Sequence, residues 1–204
     1  MYVSCLLMKE IEKHINPELK EKIFDDLSNI LDENYSYHNL DHTKRVISAA
    51  VDIGRNYDLS EKDWRCLLTA CLLHDYGFIE SHVEHEKISA KLSSQILPKY
   101  GFSETDIQII NSLIIVTKLE EKPKNLLESI IRDSDLEYLG SEDFIKISPL
   151  LKKEWINCKV VKSDSEFYKI QYEFILNHSF YTDFMIKNSI NQKKVNIDYA
   201  KSMI

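Results

Sequence analysis

Hydrophobic residues recur three or four positions apart along nearly the whole chain, with polar residues between them. This spacing puts the apolar side chains on one face of a helix, so the pattern predicts helices rather than strands. Six helices are predicted up to residue 140, at about 17–34, 39–56, 60–77, 84–97, 103–116 and 123–140. Two or three more are expected between 143 and 190.

The residues at several helix ends support this assignment. Ser60 is a plausible N-cap, and Ser103 with Asp106 three residues later resembles a capping box. Pro98 and Gly101 end the preceding helix. The 204 residues include only four Gly and four Pro, which disfavours a turn-rich β fold. The prediction is one all-α domain, with a weak internal boundary at 157–164.

The net charge and the cysteine content limit which binding partners and which cellular compartment we expect for this protein. Lys and Arg number 26 against 33 Asp and Glu, a net charge of −7, so a nucleic-acid duplex is an unfavourable partner. An anionic substrate would need a local positive centre, such as a bound metal. Cys66 and Cys71 lie in an apolar helical stretch, and none of the four cysteines forms a CxxC pair. The apolar N-terminal run at 1–8 lacks a basic region, and no run reaches the ~18 apolar residues of a membrane span. We therefore expect reduced thiols and a cytoplasmic protein.

Candidate chemistry is concentrated in histidines and aspartates on the predicted apolar faces. His42 shares a helix face with Val46 and Ile53, and His74-Asp75 ends a strongly apolar run. A buried carboxylate is unfavourable unless it is paired or binds a metal. Asp135 also faces inward by its spacing. Two imidazoles and two carboxylates predict a metal site with nitrogen and oxygen donors, although a core histidine or a His-Asp pair taken alone is often only hydrogen-bonded.

The order His42, His74-Asp75, Asp135 resembles that of the HD-domain superfamily of metal-dependent phosphohydrolases. The segments HEKISA (85–90), ILPKYGF (96–102) and RDSDLEYLG (132–140) look like those of small bacterial HD proteins. The resemblance implies a single HD-type helical bundle over 1–204. Its core would span roughly 35–140, and 141–204 would be a helical C-terminal extension.

The resemblance also implies a ligand set. His42, His74, Asp75 and Asp135 would bind one divalent ion, which could be Mn, Mg, Fe, Ni or Zn. Asp133 is a rival for the last position, and the distance to Leu139-Gly140 favours Asp135.

Further roles follow from the same resemblance. The sequence YHNLDH (37–42) resembles the YHNxxH of cyclic-nucleotide phosphodiesterases, which would make His38 the general acid. His85 and Glu86 match the HE segment, where two-metal HD proteins place a ligand of the second ion. Residues 109–123 contain no further histidine, so we expect His85 to contact phosphate or a metal-bound water.

Four cations lie near the motif residues in sequence and are candidates for binding phosphate, although each could equally be a solvated surface charge: Lys44, Arg45, Lys87 and Lys118. The aromatic residues of the C-terminal half could stack on a nucleobase, but core packing is their commoner use. His82 is a weaker candidate than His85 for the same contact, and His14 and His178 are interpreted as structural.

The favoured function is metal-dependent hydrolysis of a nucleotide or another small phosphoester, with Asp75 helping to orient the water. The alternative is a non-catalytic HD fold that senses a nucleotide or binds a partner. Oxygenase chemistry at a di-iron site ranks last, because the extra histidines it needs are missing. A homodimer is possible.

Overall fold

The computed structural model describes the backbone of residues 5–204 and the side chains from Glu10 onward. This part of the chain contains helices and no strand, so the all-α prediction is confirmed. The helices are α1 (Cys5–His14), α2 (Pro17–Asn29), α3 (Leu40–Gly54), α4 (Glu61–Leu73), α5 (His85–Ile96), α6 (Glu104–Ile115), α7 (Leu126–Asp135), α8 (Phe144–Asn157), α9 (Asp164–Asn177) and α10 (Asp183–Ser202). Three short 3₁₀ turns cover Tyr76–Ile79, Leu97–Tyr100 and Glu137–Gly140. Residues 1–4 and the side chain of Cys5 lie outside the described residues.

Both predicted serine caps are present. Ser60 accepts a hydrogen bond from the Asp63 amide at the start of α4, and the Asp63 side chain accepts one from the Ser60 amide. Ser103 and Asp106 form the same reciprocal pair at α6. Each capping box satisfies amides that a helix N-terminus would otherwise leave unpaired.

Three boundaries differ from the prediction. The helix α1 precedes the first predicted helix, and α10 continues to Ser202 instead of ending near residue 190. The helix α2 ends at Asn29 rather than near Asn34. Ile30 at the C-cap is 57% exposed, and the chain turns after it, where the Asp32 carboxylate accepts a hydrogen bond from the Asn34 amide at 2.8 Å.

The helix α4 lies at the centre of the fold. Every residue from Cys66 to Leu73 is buried, and α4 packs against α3 and α6. The helix α3 also packs against α7, and α5 packs against α6. Burial raises the pKa of the Cys66 thiol to about 11, and both cysteines of α4 are free. They pack as small apolar side chains, as predicted.

The C-terminal helices cover one end of this core. The helix α10 packs on α9 and on the turn Glu137–Gly140. Asn196 of α10 donates hydrogen bonds to the carbonyls of Leu139 and Ser141, which holds that turn in place after α7. The loop 158–163 joins α8 to α9. In residues 5–204, no helix has both the length and the apolar character needed to cross a bilayer.

Candidate metal centre and its cavity

His42 is positioned by the first turn of α3. The N-cap Asn39 accepts hydrogen bonds from the amides of Asp41 and His42 at 3.0 and 3.2 Å. His42 lies on the apolar face of α3, which packs against the core, and its side chain is only 2% exposed.

His74 follows the last residue of α4 and is fully buried. Its Nδ1 lies 2.9 Å from the carbonyl oxygen of Cys71, so Nδ1 carries the proton and donates it to that carbonyl. The tautomer that results leaves the lone pair of Nε2 free to bind a cation.

Four potential ligand atoms converge at this point. From His42 Nε2, the distances are 3.2 Å to His74 Nε2, 3.2 Å to Asp75 Oδ2 and 3.1 Å to Asp135 Oδ1. His74 Nε2 is 3.2 Å from Asp75 Oδ2 and 3.6 Å from Asp135 Oδ1. Ligand atoms of His42, His74 and Asp135 all lie within 4.8 Å of one another.

The donor set fits a divalent cation. Asp75 Oδ2 is buried and lacks a well-formed hydrogen bond, although a buried carboxylate oxygen normally has a partner. Two imidazole nitrogens and two carboxylate oxygens suit a divalent transition metal, and the carboxylates would balance its charge. The same four residues were predicted as the ligand set from the sequence.

Mutual attraction dominates the electrostatics of this cluster. Burial alone would lower the pKa of His74, but the carboxylates of Asp75 and Asp135 raise it well above its ordinary value. Burial likewise opposes ionisation of both carboxyls, yet the imidazoles of His74 and His42 hold their pKa values below the usual range. A cation bound here would replace the proton on the imidazole.

Asp133, the rival for the last ligand position, faces a different element. Its carboxylate accepts hydrogen bonds from the amide and the hydroxyl of Thr182 at 2.7 and 2.6 Å. The Tyr181 amide donates to it at 2.9 Å. These bonds anchor the start of α10, and burial raises the pKa of the Asp133 carboxyl despite them. The structure brings Asp135, and not Asp133, to His42 and His74.

His85 and Glu86 approach the cluster from the start of α5. His85 Nε2 lies 3.3 Å from Asp75 Oδ1 and 3.5 Å from Glu86 Oε1. Gly77 permits this approach, since a Cβ on it would sit 2.2 Å from the carbonyl oxygen of His85. Burial lowers the pKa of His85, but the hydrogen bond to Asp75 and the negative charges of Asp75 and Glu86 together outweigh it, and the net shift is upward.

His38 stands at the rim beside His85, with its Nδ1 hydrogen-bonded to the Glu154 carboxylate of α8. The other oxygen of Glu154 accepts bonds from the amides of Tyr37 and His38 at 2.8 and 2.9 Å. Burial opposes ionisation of Glu154, but the bonds from His38 lower its pKa. The carboxylate therefore fixes the orientation of the imidazole ring.

A cavity of about 320 Å³ adjoins the cluster. His38, Asp75, His85, Glu86 and Asp135 line one side of it. The remaining lining residues are mostly apolar or aromatic, and they come chiefly from the end of α7 and from α8 and α9: Tyr37, Thr117, Leu119, Leu136, Tyr138, Leu151, Trp155, Phe167, Ile170, Gln171 and Phe174.

The four candidate cations do not line this cavity. Lys44 lies over the Phe24 ring and Arg45 over the Tyr37 ring, at 5.5 and 5.6 Å from the ring centroids. Lys87 is exposed on α5 and pairs with a neighbouring carboxylate, and Lys118 follows α6. Their proximity to the motif in sequence does not place them beside the cluster, and a role in binding phosphate stays a prediction.

The remaining three histidines also lie outside the cavity. His14 is buried and stacks on Trp64 at 5.7 Å, and His178 packs edge-on to Phe180 at 4.7 Å. His82 is exposed. None of the three is among the residues that line the cavity.

Sequence reasoning assigned no role to Glu154 or Gln171. Glu154 belongs to the segment KKEW (152–155), and its contact with His38 spans 116 residues. Gln171 carried no signal in the sequence. The aromatic residues of α8 and α9 were expected to pack in the core or to stack on a base, and Trp155, Phe167 and Phe174 line the cavity.

Comparison with known proteins agrees with this architecture. A family model of the HD domain matches residues 39–137. The structure is similar to that of a predicted HD superfamily hydrolase from an uncultured Thermotogales bacterium, with a TM-score of 0.63 and 18% identity, covering 96% of this chain and 95% of that one. A comparison with curated proteins gave no match. Residues 39–137 of this chain therefore form an HD domain.

Proposed function

We propose that this protein is a metal-dependent phosphohydrolase that acts on a nucleotide or another small phosphoester. The observation that carries the proposal is the convergence of His42, His74, Asp75 and Asp135 beside a cavity that His38 and His85 also line. Those four residues would hold the divalent cation. Its identity among Mn, Mg, Fe, Ni and Zn is a matter for experiment.

A divalent cation held there supplies Lewis acidity toward phosphoryl oxygens and lowers the pKa of a bound water from 15.7 towards about 7. Asp75 presents its two oxygens to different partners. Oδ2 faces the imidazoles of His42 and His74, and Oδ1 lies 3.3 Å from His85 Nε2. We expect Asp75 and His85 to orient the attacking water, because their polar atoms meet at the edge of the cavity.

His38 is suited to donate a proton to the leaving oxygen. Glu154 holds Nδ1 of the ring, and the imidazole lines the cavity. A buried carboxylate behind a histidine fixes the tautomer and the orientation of its ring, as the third group of a catalytic triad does. Glu154 is therefore a positioning residue that acts through His38, and general acid catalysis of this kind contributes roughly 10²–10⁴-fold to a rate.

The test is phosphate release from a panel of nucleotides and generic phosphoesters, measured with Mn²⁺, Mg²⁺, Fe²⁺ or EDTA. Replacing His74 or Asp75 by alanine should lower turnover by about 10³-fold or more, because each removes a ligand of the group that stabilises the transition state. Asp41→Ala is the matched control, since Asp41 precedes His42 but is exposed. Unchanged hydrolysis in Asp75→Ala would refute the site, whereas metal binding without hydrolysis of any compound would favour the nucleotide-sensor alternative.

Cytoplasmic location and a homodimer remain predictions. Cys66, Cys71 and Cys158 are free thiols in the structure, which is compatible with a reducing compartment. Sedimentation of the purified protein would measure the oligomeric state directly.

A further inference from the structure

The part of the cavity lining that comes from α8 and α9 is mostly apolar and aromatic, so it suits a chemical group other than phosphate. Leu151 and Trp155 of α8 face it together with Phe167 and Phe174 of α9. Trp155 and Phe167 meet edge to face, with ring centroids 5.4 Å apart. Aromatic and aliphatic walls of this kind bind flat apolar surfaces.

One buried polar side chain, Gln171, lies within this wall, and one of its polar atoms has no hydrogen-bond partner. Gln171 is 4% exposed and lines the cavity. Its Oε1 accepts a hydrogen bond of 2.6 Å from the Ser148 hydroxyl, which is itself fully buried. The amide nitrogen Nε2 is buried and has no hydrogen-bond partner. An amide donor left unpaired in an apolar setting is unfavourable by roughly 1–3 kcal/mol, so an acceptor on a ligand would satisfy it.

The negative charge of the cavity lining limits the number of phosphate groups that a ligand can carry. Three carboxylates, Asp75, Glu86 and Asp135, line the cavity, and no lysine or arginine is among the lining residues of the described chain. One divalent cation would neutralise about two of those charges. The lining would then keep about one negative charge, so every further phosphate adds repulsion and a single phosphate is less unfavourable than a polyphosphate. A volume of about 320 Å³ also suits one small molecule rather than an oligonucleotide.

We infer that the α8–α9 wall and Gln171 form a specificity site for a flat heteroaromatic ring that carries a hydrogen-bond acceptor and is joined to a single phosphate. The ring packs among Leu151, Trp155, Phe167 and Phe174, and its acceptor accepts a hydrogen bond from Gln171 Nε2. This inference rests on the proposed function for the phosphate end and names the class of substrate. Nucleoside monophosphates belong to that class.

Kinetics with three kinds of substrate test the inference. The metal-loaded protein is assayed with the common nucleoside 5′-monophosphates, with ribose 5-phosphate, which lacks the ring, and with nucleoside triphosphates. We expect kcat/KM for at least one monophosphate to exceed that for each of the other two classes by about 10-fold or more, as expected when a site pairs with a substrate group. Equal kcat/KM for the monophosphate and ribose 5-phosphate would overturn the inference.

Gln171→Met keeps the length of the side chain and removes its donor. It should lower kcat/KM for the preferred monophosphate by about 10-fold, the effect of one lost hydrogen bond, and leave ribose 5-phosphate unchanged. An equal loss on both substrates would mean that Gln171 is only structural. Ser148→Ala is the second variant. It leaves Gln171 in place but removes the anchor of its amide, so it should shift the same ratio by a smaller factor.

A binding measurement separates failure of the inference from failure of the proposed function. The chain has two tryptophans, and Trp64 stacks on His14 of α1, away from the cavity. In Trp64→Phe, fluorescence therefore reports Trp155 alone. With Mg²⁺ present, a nucleoside monophosphate should change this fluorescence saturably, Gln171→Met should weaken that binding about 10-fold, and ribose 5-phosphate should have no effect. Saturable binding without turnover would refute the proposed hydrolase activity and support the ring-binding site. Turnover of ribose 5-phosphate with no Trp155 response to any nucleotide would support the hydrolase activity and refute the ring-binding site.

Discussion

Asp133 and Asp135 are two residues apart on α7, and replacing each by asparagine should cause a different defect. Asp133 accepts hydrogen bonds from the amide and hydroxyl of Thr182 and from the Tyr181 amide, so it ties α7 to the start of α10. Asp135 instead lies 3.1 Å from His42 Nε2 and 3.6 Å from His74 Nε2. The first variant should lose stability, and the second should lose metal.

The magnitudes follow from these contacts. Hydrogen bonds to a charged group contribute about 1.5–3 kcal/mol each, and those of one cluster do not add fully. Asp133→Asn turns one acceptor oxygen into a donor that faces backbone amides, so we expect a loss of about 3 kcal/mol in the free energy of unfolding, or roughly 6–12 °C in Tm for a chain of this length. Asp135→Asn removes a candidate ligand. Its metal affinity should fall by more than about 100-fold, since mutation of groups that merely support ligands already causes losses of 10–100-fold.

Two assays on the same variants decide the matter. Thermal unfolding of the metal-free proteins measures stability, and calorimetric titration with Mn²⁺ measures affinity. Asp133→Asn should retain near-normal metal affinity at a temperature where it is folded, and Asp135→Asn should lose metal affinity at a temperature where it is folded. The reverse pattern, with metal lost from a fully stable Asp133→Asn, would show that the assignment of these aspartates is wrong.

Three further outcomes are expected. Gly77→Ala should lower turnover by about 10²-fold in a folded protein, because its Cβ would sit 2.2 Å from the His85 carbonyl oxygen and push His85 away from Asp75; wild-type turnover would contradict the positioning role of Gly77. The folded pKa of Glu154 lies below its ordinary 4.5, so the stability it contributes is present above pH 4.5 and lost as the pH falls through the folded value. The difference in unfolding free energy between wild type and Glu154→Gln should shrink over that range, and a constant difference in acid titrations would refute the pairing with His38. Metal at about 100 times its Kd should raise the wild-type Tm by roughly 5–10 °C in calorimetric scans, and no rise would contradict a site that binds only the folded chain.

Features of the fold that depend on residues close together in the chain were predictable from the sequence. Apolar periodicity located α3 to α7 to within a few residues, since each of these helices has one buried face. Ser60 as an N-cap and the Ser103–Asp106 pair marked the starts of α4 and α6, because helix capping needs only residues that are close in the chain. Helical spacing also placed Asp135 on the inward side of α7.

The parts that depend on distant residues were not predictable. Glu154 meets His38 across 116 residues, and Ser148 of α8 orients Gln171 of α9. The position of a charge in the sequence also does not give its position in the fold: Arg45 follows His42 by three residues, but its guanidinium lies over the Tyr37 ring and does not line the cavity. Such contacts arise when helices pack, and no local pattern encodes them.

The central claim is that one divalent cation at the His42–Asp135 cluster is required for hydrolysis of a small phosphoester. The most direct measurement is phosphate release by metal-stripped protein as Mn²⁺ is added, with a nucleoside monophosphate as substrate. The account predicts no release in EDTA, a rate that rises until about one equivalent of metal is bound, and no such rise in Asp135→Asn. Release that proceeds at the same rate with or without metal would contradict it.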